Sequence, residues 1–252
     1  MSRIINLNKM KAKSPIFIHG IDCYMAGIQL IRQPGLRRFV IIPLAINMAL
    51  FSIASWMLWS YLSTAVDSML PSWLSWLAWL ILPVFMASVM AVVYYAFTLV
   101  ANIIASPFYG HLAKGVEGHL KGEDHLALET DFFSTESLAI LGSELRKLVY
   151  YLVRAIPLLL LSLIPGVNVI TLPLWLLFSA WFLSFEYTGY AFENHGVLFN
   201  EQKRILKKSQ ANSLAFGGLS LLATTIPVVN LFAPAIAVAG ATKMLYERGE
   251  LK

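Results

Sequence analysis

The sequence has few charged residues and a single cysteine. Only 13% of its 252 residues are Asp, Glu, Lys or Arg, whereas 58% are hydrophobic. A soluble domain carries about twice that share of charge, so the composition indicates an all-α integral membrane protein. Because Cys23 is the only cysteine, intrachain disulfides and CxxC-type metal or redox motifs are excluded.

Motifs for nucleotide-driven or hydrolytic chemistry are also absent. The chain has neither a GxxxxGK[ST] phosphate-binding loop nor a G-x-S-x-G nucleophile elbow. The spacing of His111, His119 and His125 matches no standard metal motif, so we expect these histidines to be solvated. The sequence therefore predicts no enzymatic activity, no cofactor and no metal site.

Two long apolar runs predict transmembrane helices at 36–62 and 73–105. The first contains 24 consecutive uncharged residues, and about 20 suffice to cross a hydrocarbon core. The linker between them carries Asp67 but no Lys or Arg, and aromatic residues surround it as in an interfacial belt. These aromatic residues are Trp56, Trp59, Tyr61, Trp73, Trp76 and Trp79. The tip of this hairpin is therefore expected to face away from the cytoplasm.

The basic residues predict the orientation of the chain. All 19 lie outside positions 39–113, and seven precede the first span. By the positive-inside rule the N-terminus is cytoplasmic, and so is the polar segment 106–154, which we interpret as a helical connector. Because the basic residues lie beside apolar segments, we expect them to orient the chain in the membrane. The net charge of +5 therefore does not indicate a nucleic-acid partner.

Two further apolar stretches, 155–185 and 213–242, share an Ile-Pro-x-Val-Asn repeat near their middles. As kinked single spans they would place the basic linker between them outside, against the positive-inside rule. As helical hairpins turning at the repeat, they have arms of about 10 to 14 residues, only about 15 to 20 Å long. The pattern favours two re-entrant, partly inserted hairpins, with tips buried in protein or lining a wet cavity.

Residues 15–33 precede the first span and predict an amphipathic helix on the cytoplasmic interface. Their apolar residues recur at three- and four-residue spacing, which is typical of one helical face. The face consists of Phe17, Ile21, Tyr24, Ile28 and Ile31.

The stretch "RQPGLRRF" joins this helix to the first span. Pro34-Gly35 breaks the first helix, and a new helix is expected to begin at about Leu36, with unsatisfied amides and a positive dipole end. Arg37 and Arg38 add two guanidinium forks suited to oxyanions. The alternative is that the basic pair only sets topology or binds lipid phosphates, and on the pattern alone that interpretation is the stronger.

The chain resembles the CysZ-type sulfate permeases, which are bacterial inner-membrane proteins that serve sulfate uptake for cysteine synthesis. The resemblance rests on "PGLRRFVIIPLAIN" (34–47), "NIIASPFYGHLAKGVE" (102–117) and the paired hairpin repeats. It implies two long spans, two partly inserted hairpins, a cytoplasmic N-terminus and a homo-oligomer. It also implies sulfate binding at Gly35, Leu36, Arg37 and Arg38.

With this resemblance, we expect a sulfate permease, passive or ion-coupled, in which the amides of Gly35 and Leu36 bind sulfate oxygens. Sulfate has no proton to donate, and no Asp or Glu lies between Asp22 and Asp67 to accept one from phosphate. The competing hypothesis is a non-transporting adaptor whose basic face binds anionic lipid or a partner. Polar candidates for lining a path within the spans are Asn47, Ser52, Ser55, Ser88 and Asn102.

Overall fold

The computed structural model describes residues 16–69, 78–123 and 135–251. Over those ranges the chain forms nine helices and no strand, which confirms the all-α class. The helices are α1 (Ile16–Leu30), α2 (Arg38–Met69), α3 (Ala78–Lys121), α4 (Thr135–Ser162), α5 (Asn168–Glu193), α6 (Phe199–Lys208), α7 (Gln210–Thr225), α8 (Pro227–Asn230) and α9 (Ala233–Glu247).

The segment Arg38–Tyr109 forms one unit and contains α2 and the first part of α3. The 32 residues of α2 measure about 48 Å at 1.5 Å per residue, and Arg38–Met57 is long and apolar enough to cross a membrane. The predicted linker falls on 70–77, and Trp73 and Trp76 lie there, outside the described residues.

The predicted connector at 106–154 is not a separate element where it is described. Its first part continues α3 without a break to Lys121, and its last part belongs to α4, which begins at Thr135. The helix of α3 outlasts the apolar run because Glu117 and Lys121 form an ion pair one turn apart, at 2.7 Å. His125 and the rest of 124–134 lie outside the described residues.

Both Pro-x-Val-Asn repeats lie between helices that contact each other. The first follows the end of α4, and the chain turns back into α5; the second forms α8 itself, between α7 and α9. Both helices of the first pair are longer than the predicted arms, because α4 extends back beyond Arg154 and α5 continues beyond Glu186. By length and composition, Val169–Glu193 in α5 is a second candidate membrane span.

The second unit comprises residues up to Arg37 and from Gly110 onward, and α9 lies in its core. This helix is buried on almost every side, because alanines at alternate positions let its neighbours approach closely. Phe185, Phe192 and Phe216, from α5 and α7, are each fully buried beside it in the same unit. A helix that is apolar all round belongs in such a core.

Helix α1 packs against α7 and α9, and the face it buries differs from the predicted one. The most buried positions are Gly20, Cys23, Tyr24, Gly27 and Leu30. Among the side chains of the predicted apolar face that the structure describes, Tyr24 is fully buried and Ile21, Ile28 and Ile31 are half-buried at its margin; the side chain of Phe17 lies outside the described ones. The smaller residues form the contact because they allow the backbones of two helices to approach.

Helices α5 and α7 approach each other closely at Gly217. A Cβ atom added there would lie 1.8 Å from the carbonyl oxygen of Ala180 and 3.1 Å from the amide nitrogen of Ser184. The obstacle is backbone, which cannot rotate away as a side chain can. Glycine at 217 therefore sets the distance between these two helices.

We expect Gly217→Ala to lower the free energy of unfolding by about 1–3 kcal/mol or more, because the methyl group forces α5 and α7 apart. Gly142→Ala is the matched control, since a Cβ at Gly142 meets nothing within 4 Å and helical alanine is favoured by about 0.5–1 kcal/mol. Thermal denaturation in detergent measures both. Equal midpoints for the two variants would contradict this account of the packing.

Candidate functional site

The segment between α1 and α2 forms a compact turn closed on one carbonyl. The amides of Leu36 and Arg37 donate to the carbonyl oxygen of Gln33 at 3.1 and 3.2 Å, and Gln33 itself donates to Leu30 at 3.0 Å. Helix α2 then begins at Arg38, two residues later than the sequence predicts. The turn therefore pairs the amides of Leu36 and Arg37, which would lack an acceptor in the first turn of a helix that began at Leu36.

Gly35 adopts the left-handed conformation that this turn requires. Its φ is 92°, which a residue with a Cβ atom adopts only with strain. Among the described residues, the amides of Gly35 and Arg38 donate to no acceptor. The Leu36 amide is predicted to donate to sulfate, but it already donates to Gln33, so that bond must be shared or broken. The Leu36 side chain is 2% exposed and anchors the turn.

The two arginines of the turn are exposed and carry uncompensated charge. Neither Arg37 nor Arg38 lies within ion-pair distance of a carboxylate in the part of the chain that the structure describes. The guanidinium of Arg38 lies 4.9 Å from the ring centroid of Phe39, on the same helix. Two permanent cations on adjacent residues, beside unsatisfied amides, suit a doubly charged oxyanion.

The family match covers this turn, the first hairpin and the first part of the second. The family described as "Sulfate transporter CysZ/Etoposide-induced protein 2.4" matches residues 23–234. The chain belongs to this family. A "Sulfate transporter CysZ" of Pseudomonas aeruginosa (strain LESB58) is 41% identical over 232 residues, 89% of this chain and 93% of that protein.

Two further relatives carry the same name. The protein of Pseudomonas fluorescens (strain Pf0-1) is 42% identical over 231 residues, 88% of this chain and 91% of its own length. That of Pectobacterium atrosepticum (strain SCRI 1043) is 40% identical over 233 residues, 91% of this chain and 85% of its own. The CysZ description is that of a transporter, not of an enzyme class, and together with the two apolar helices it makes this chain a membrane protein.

Most of the predicted path-lining hydroxyls are engaged within their own helices. Ser52 donates to the carbonyl of Met48 at 2.9 Å, and Ser88 donates to Val84 at 2.8 Å. Asn47 differs, because its Oδ1 atom is buried and has no partner in the described part of the chain. The side chain of Asn102 lies outside the described residues.

A buried charge network, which the sequence analysis did not identify, joins the end of α3 to the end of α5. Glu117 is 7% exposed; its Oε2 atom accepts from Nε2 of His195 at 2.7 Å, and Oε1 pairs with Lys121. Nearby, Nδ2 of Asn194 donates to the carbonyl of Gly110 at 2.9 Å. Burial opposes ionisation of Glu117, but the bonds from Lys121 and His195 outweigh it and lower the pKa of the carboxyl.

A second such network lies between α4 and α5. The ammonium of Lys147 is buried and lies 2.7 Å from Glu144 and 3.2 Å from Glu186. Burial lowers the pKa of Lys147, yet the two carboxylates more than compensate and raise it. A third carboxylate, Glu193, faces the same ammonium, and burial with the nearby Glu144 and Glu186 raises its pKa to about 7. Each charged group in these networks thus has a charged neighbour, in contrast to the arginines of the turn. The networks are therefore structural, and the turn is the candidate anion site.

The Glu117 network makes stability depend on pH. The pKa of Glu117 is lowered in the folded protein below its usual 4.5. The ionised carboxylate therefore stabilises the fold fully above pH 4.5, and this stabilisation is lost as the pH falls through the pKa of the folded state. We expect Glu117→Gln to cost about 1–3 kcal/mol at pH 7, with the gap to wild type narrowing below pH 4.5.

Thermal midpoints in detergent across this pH range measure the effect. Glu201→Gln is the control, since Glu201 pairs only with Arg204 on an exposed helix surface. A gap between wild type and Glu117→Gln that stays constant with pH would show that the carboxylate charge does not stabilise the fold.

Proposed function

We propose that the chain mediates sulfate uptake across the bacterial inner membrane for cysteine synthesis, passively or coupled to an ion, without hydrolysing ATP. The observation that carries this proposal is the exposed, uncompensated pair Arg37 and Arg38 directly after the left-handed Gly35. The relatives at 40–42% identity are named sulfate transporters, which agrees with an anion of this charge.

The turn binds sulfate through charge and directed donors. The amide of Gly35 and the two guanidiniums donate to the sulfate oxygens, and glycine lets the anion approach the backbone. Leu36 holds the turn in place through its buried side chain. Charge-assisted hydrogen bonds of this kind contribute about 1.5–3 kcal/mol each, so a few of them fix a divalent anion that must still be released.

Selectivity against phosphate follows from the absence of an acceptor. Hydrogen phosphate keeps a proton near neutral pH and needs an acceptor for it, whereas sulfate does not. Neither arginine of the turn has a carboxylate nearby among the described residues, so the site offers donors alone. The O–H group of hydrogen phosphate therefore finds no carboxylate to accept its proton in this site.

The chain lies in the membrane with its N-terminus in the cytoplasm. Both hairpins return to the side from which they enter, and the second does not cross. The seven basic residues up to and including Arg38, where α2 begins, support this orientation. The hairpin tips are apolar and exposed, with Leu163, Val169 and Val228 at 72–75%. The helices α7 and α9, of 16 and 15 residues, measure about 22–24 Å, less than the roughly 30 Å core.

Because the hairpins are only partly inserted in the membrane, we expect the protein to form a homo-oligomer. Two re-entrant hairpins and one pair of spans give a single chain too few crossing helices to enclose a polar path. We propose that several copies enclose the path together, with membrane lipid covering the remaining apolar faces.

The role of the arginines is tested by replacing both with lysine. We expect Arg37→Lys/Arg38→Lys to reduce radiolabelled sulfate uptake into liposomes at least tenfold, because lysine keeps the charge but loses the fork. A tenfold change corresponds to about 1.4 kcal/mol, less than one charge-assisted bond. Lys207→Ala/Lys208→Ala is the control, since it removes two charges from an exposed basic pair elsewhere and should leave uptake within twofold.

Two outcomes would overturn the proposal. If folded wild-type protein gives no more uptake than empty liposomes, the chain is an adaptor that binds anionic lipid or a partner. If the lysine variant transports normally, charge alone suffices and the turn only sets topology.

Anion competition tests selectivity in the same liposomes. We expect excess hydrogen phosphate to displace sulfate at least tenfold less effectively than unlabelled sulfate does, because its proton has no acceptor at the turn. Equal displacement by the two anions would remove this explanation of selectivity.

A further inference from the structure

Three side chains that can each ligate a metal ion meet where α1 packs against the end of α9. His19 and Cys23 lie one turn apart on α1, and Glu247 is the last residue of α9. The Sγ atom of Cys23 lies 3.7 Å from Nε2 of His19 and 3.6 Å from Oε2 of Glu247. The His19 and Glu247 atoms are themselves 3.7 Å apart.

These three distances are close to the edges of a zinc coordination tetrahedron. With zinc–sulfur bonds of about 2.3 Å and zinc–nitrogen or zinc–oxygen bonds of about 2.0–2.1 Å, tetrahedral ligand atoms lie about 3.3–3.6 Å apart. We propose that His19 Nε2, Cys23 Sγ and Glu247 Oε2 bind a divalent cation of the zinc class, with water in the fourth position. A shift of a few tenths of an ångström brings all three to bonding distance.

The ligand set selects the class of metal. A thiolate and an imidazole favour zinc and its neighbours, whereas magnesium and calcium require oxygen ligands. When the metal binds, the Cys23 thiol releases its proton to solvent and the resulting thiolate sulfur bonds to the metal. The thiolate and the Glu247 carboxylate then neutralise the two charges of the ion.

The surroundings fix the ligands and limit the affinity. Lys243 pairs with the other carboxylate oxygen of Glu247, which leaves Oε2 directed at Cys23. The cation at Lys243 opposes a second positive charge, so binding is expected to be weaker than at a closed four-ligand site.

The backbone under the cluster is held rigidly by glycine contacts. A Cβ atom added to Gly240 would lie 2.7 Å from the carbonyl of Cys23, and one added to Gly27 would lie 2.2 Å from the carbonyl of Ile236. The ligands from α1 and α9 are thus presented at a fixed separation, as a preorganised site requires. The bound ion would join the first described helix to the last.

Cobalt titration of untagged protein in detergent tests the site. We expect one Co²⁺ per chain, with a thiolate-to-cobalt charge-transfer band in the near ultraviolet and the visible bands of a tetrahedral ion. Equilibrium dialysis with Zn²⁺ should show the same stoichiometry and a raised thermal midpoint. Cys23→Ser should abolish the charge-transfer band, and His19→Gln should weaken Zn²⁺ binding at least tenfold.

His119→Gln is the matched control, because His119 is an exposed histidine outside the cluster. It should leave both binding and spectrum unchanged. Wild-type protein without the thiolate band, or Zn²⁺ binding that His19→Gln leaves intact, would overturn the proposal and reduce the cluster to a hydrogen-bonded thiol. Since the His19 side chain is 27% exposed, the His19 variant decides the question even where Cys23→Ser fails to fold.

Discussion

The structure depends on close contact between helix backbones. Lipid provides no hydrophobic force that drives helices together, so packing at small residues must supply it. Gly217 sets the contact between α5 and α7, and Gly27 with Gly240 sets that between α1 and α9. Because the proposed anion-binding turn directly follows α1, its position depends on the second of these contacts.

Charge is distributed along the molecule in a way that matches this packing. The buried ions Glu117 and Lys147 are compensated by neighbouring charges, whereas the Pro-x-Val-Asn hairpin tips carry no charged residue. Uncompensated charge is kept at an exposed turn, where water screens it until an anion arrives. Basic residues therefore have two roles: Lys147 stabilises the fold in an internal ion pair, and the unpaired arginines are candidates for anion binding.

The sequence predicted those structural features that depend on a single segment of the chain. Hydropathy located α2 and the hairpin turns, and Pro34-Gly35 located the turn with its left-handed glycine. It could not predict which face of α1 is buried, because that depends on the glycines of the opposing helix. Nor could it pair His195 with Glu117, 78 positions away, since such contacts follow from tertiary packing alone. The Leu36 amide shows the same limit, because its acceptor is set by the geometry of the turn.

The contact between α1 and α9 determines when the protein can fold. Cys23 and Glu247 are separated by 224 positions, so the first of these helices is made long before its partner exists. At about 5–20 residues per second, α1 waits for roughly 10–45 s of synthesis with its glycine face uncovered. Folding of this unit is therefore completed only after nearly the whole chain has been translated. During that interval the nascent chain is most open to chaperones and proteases.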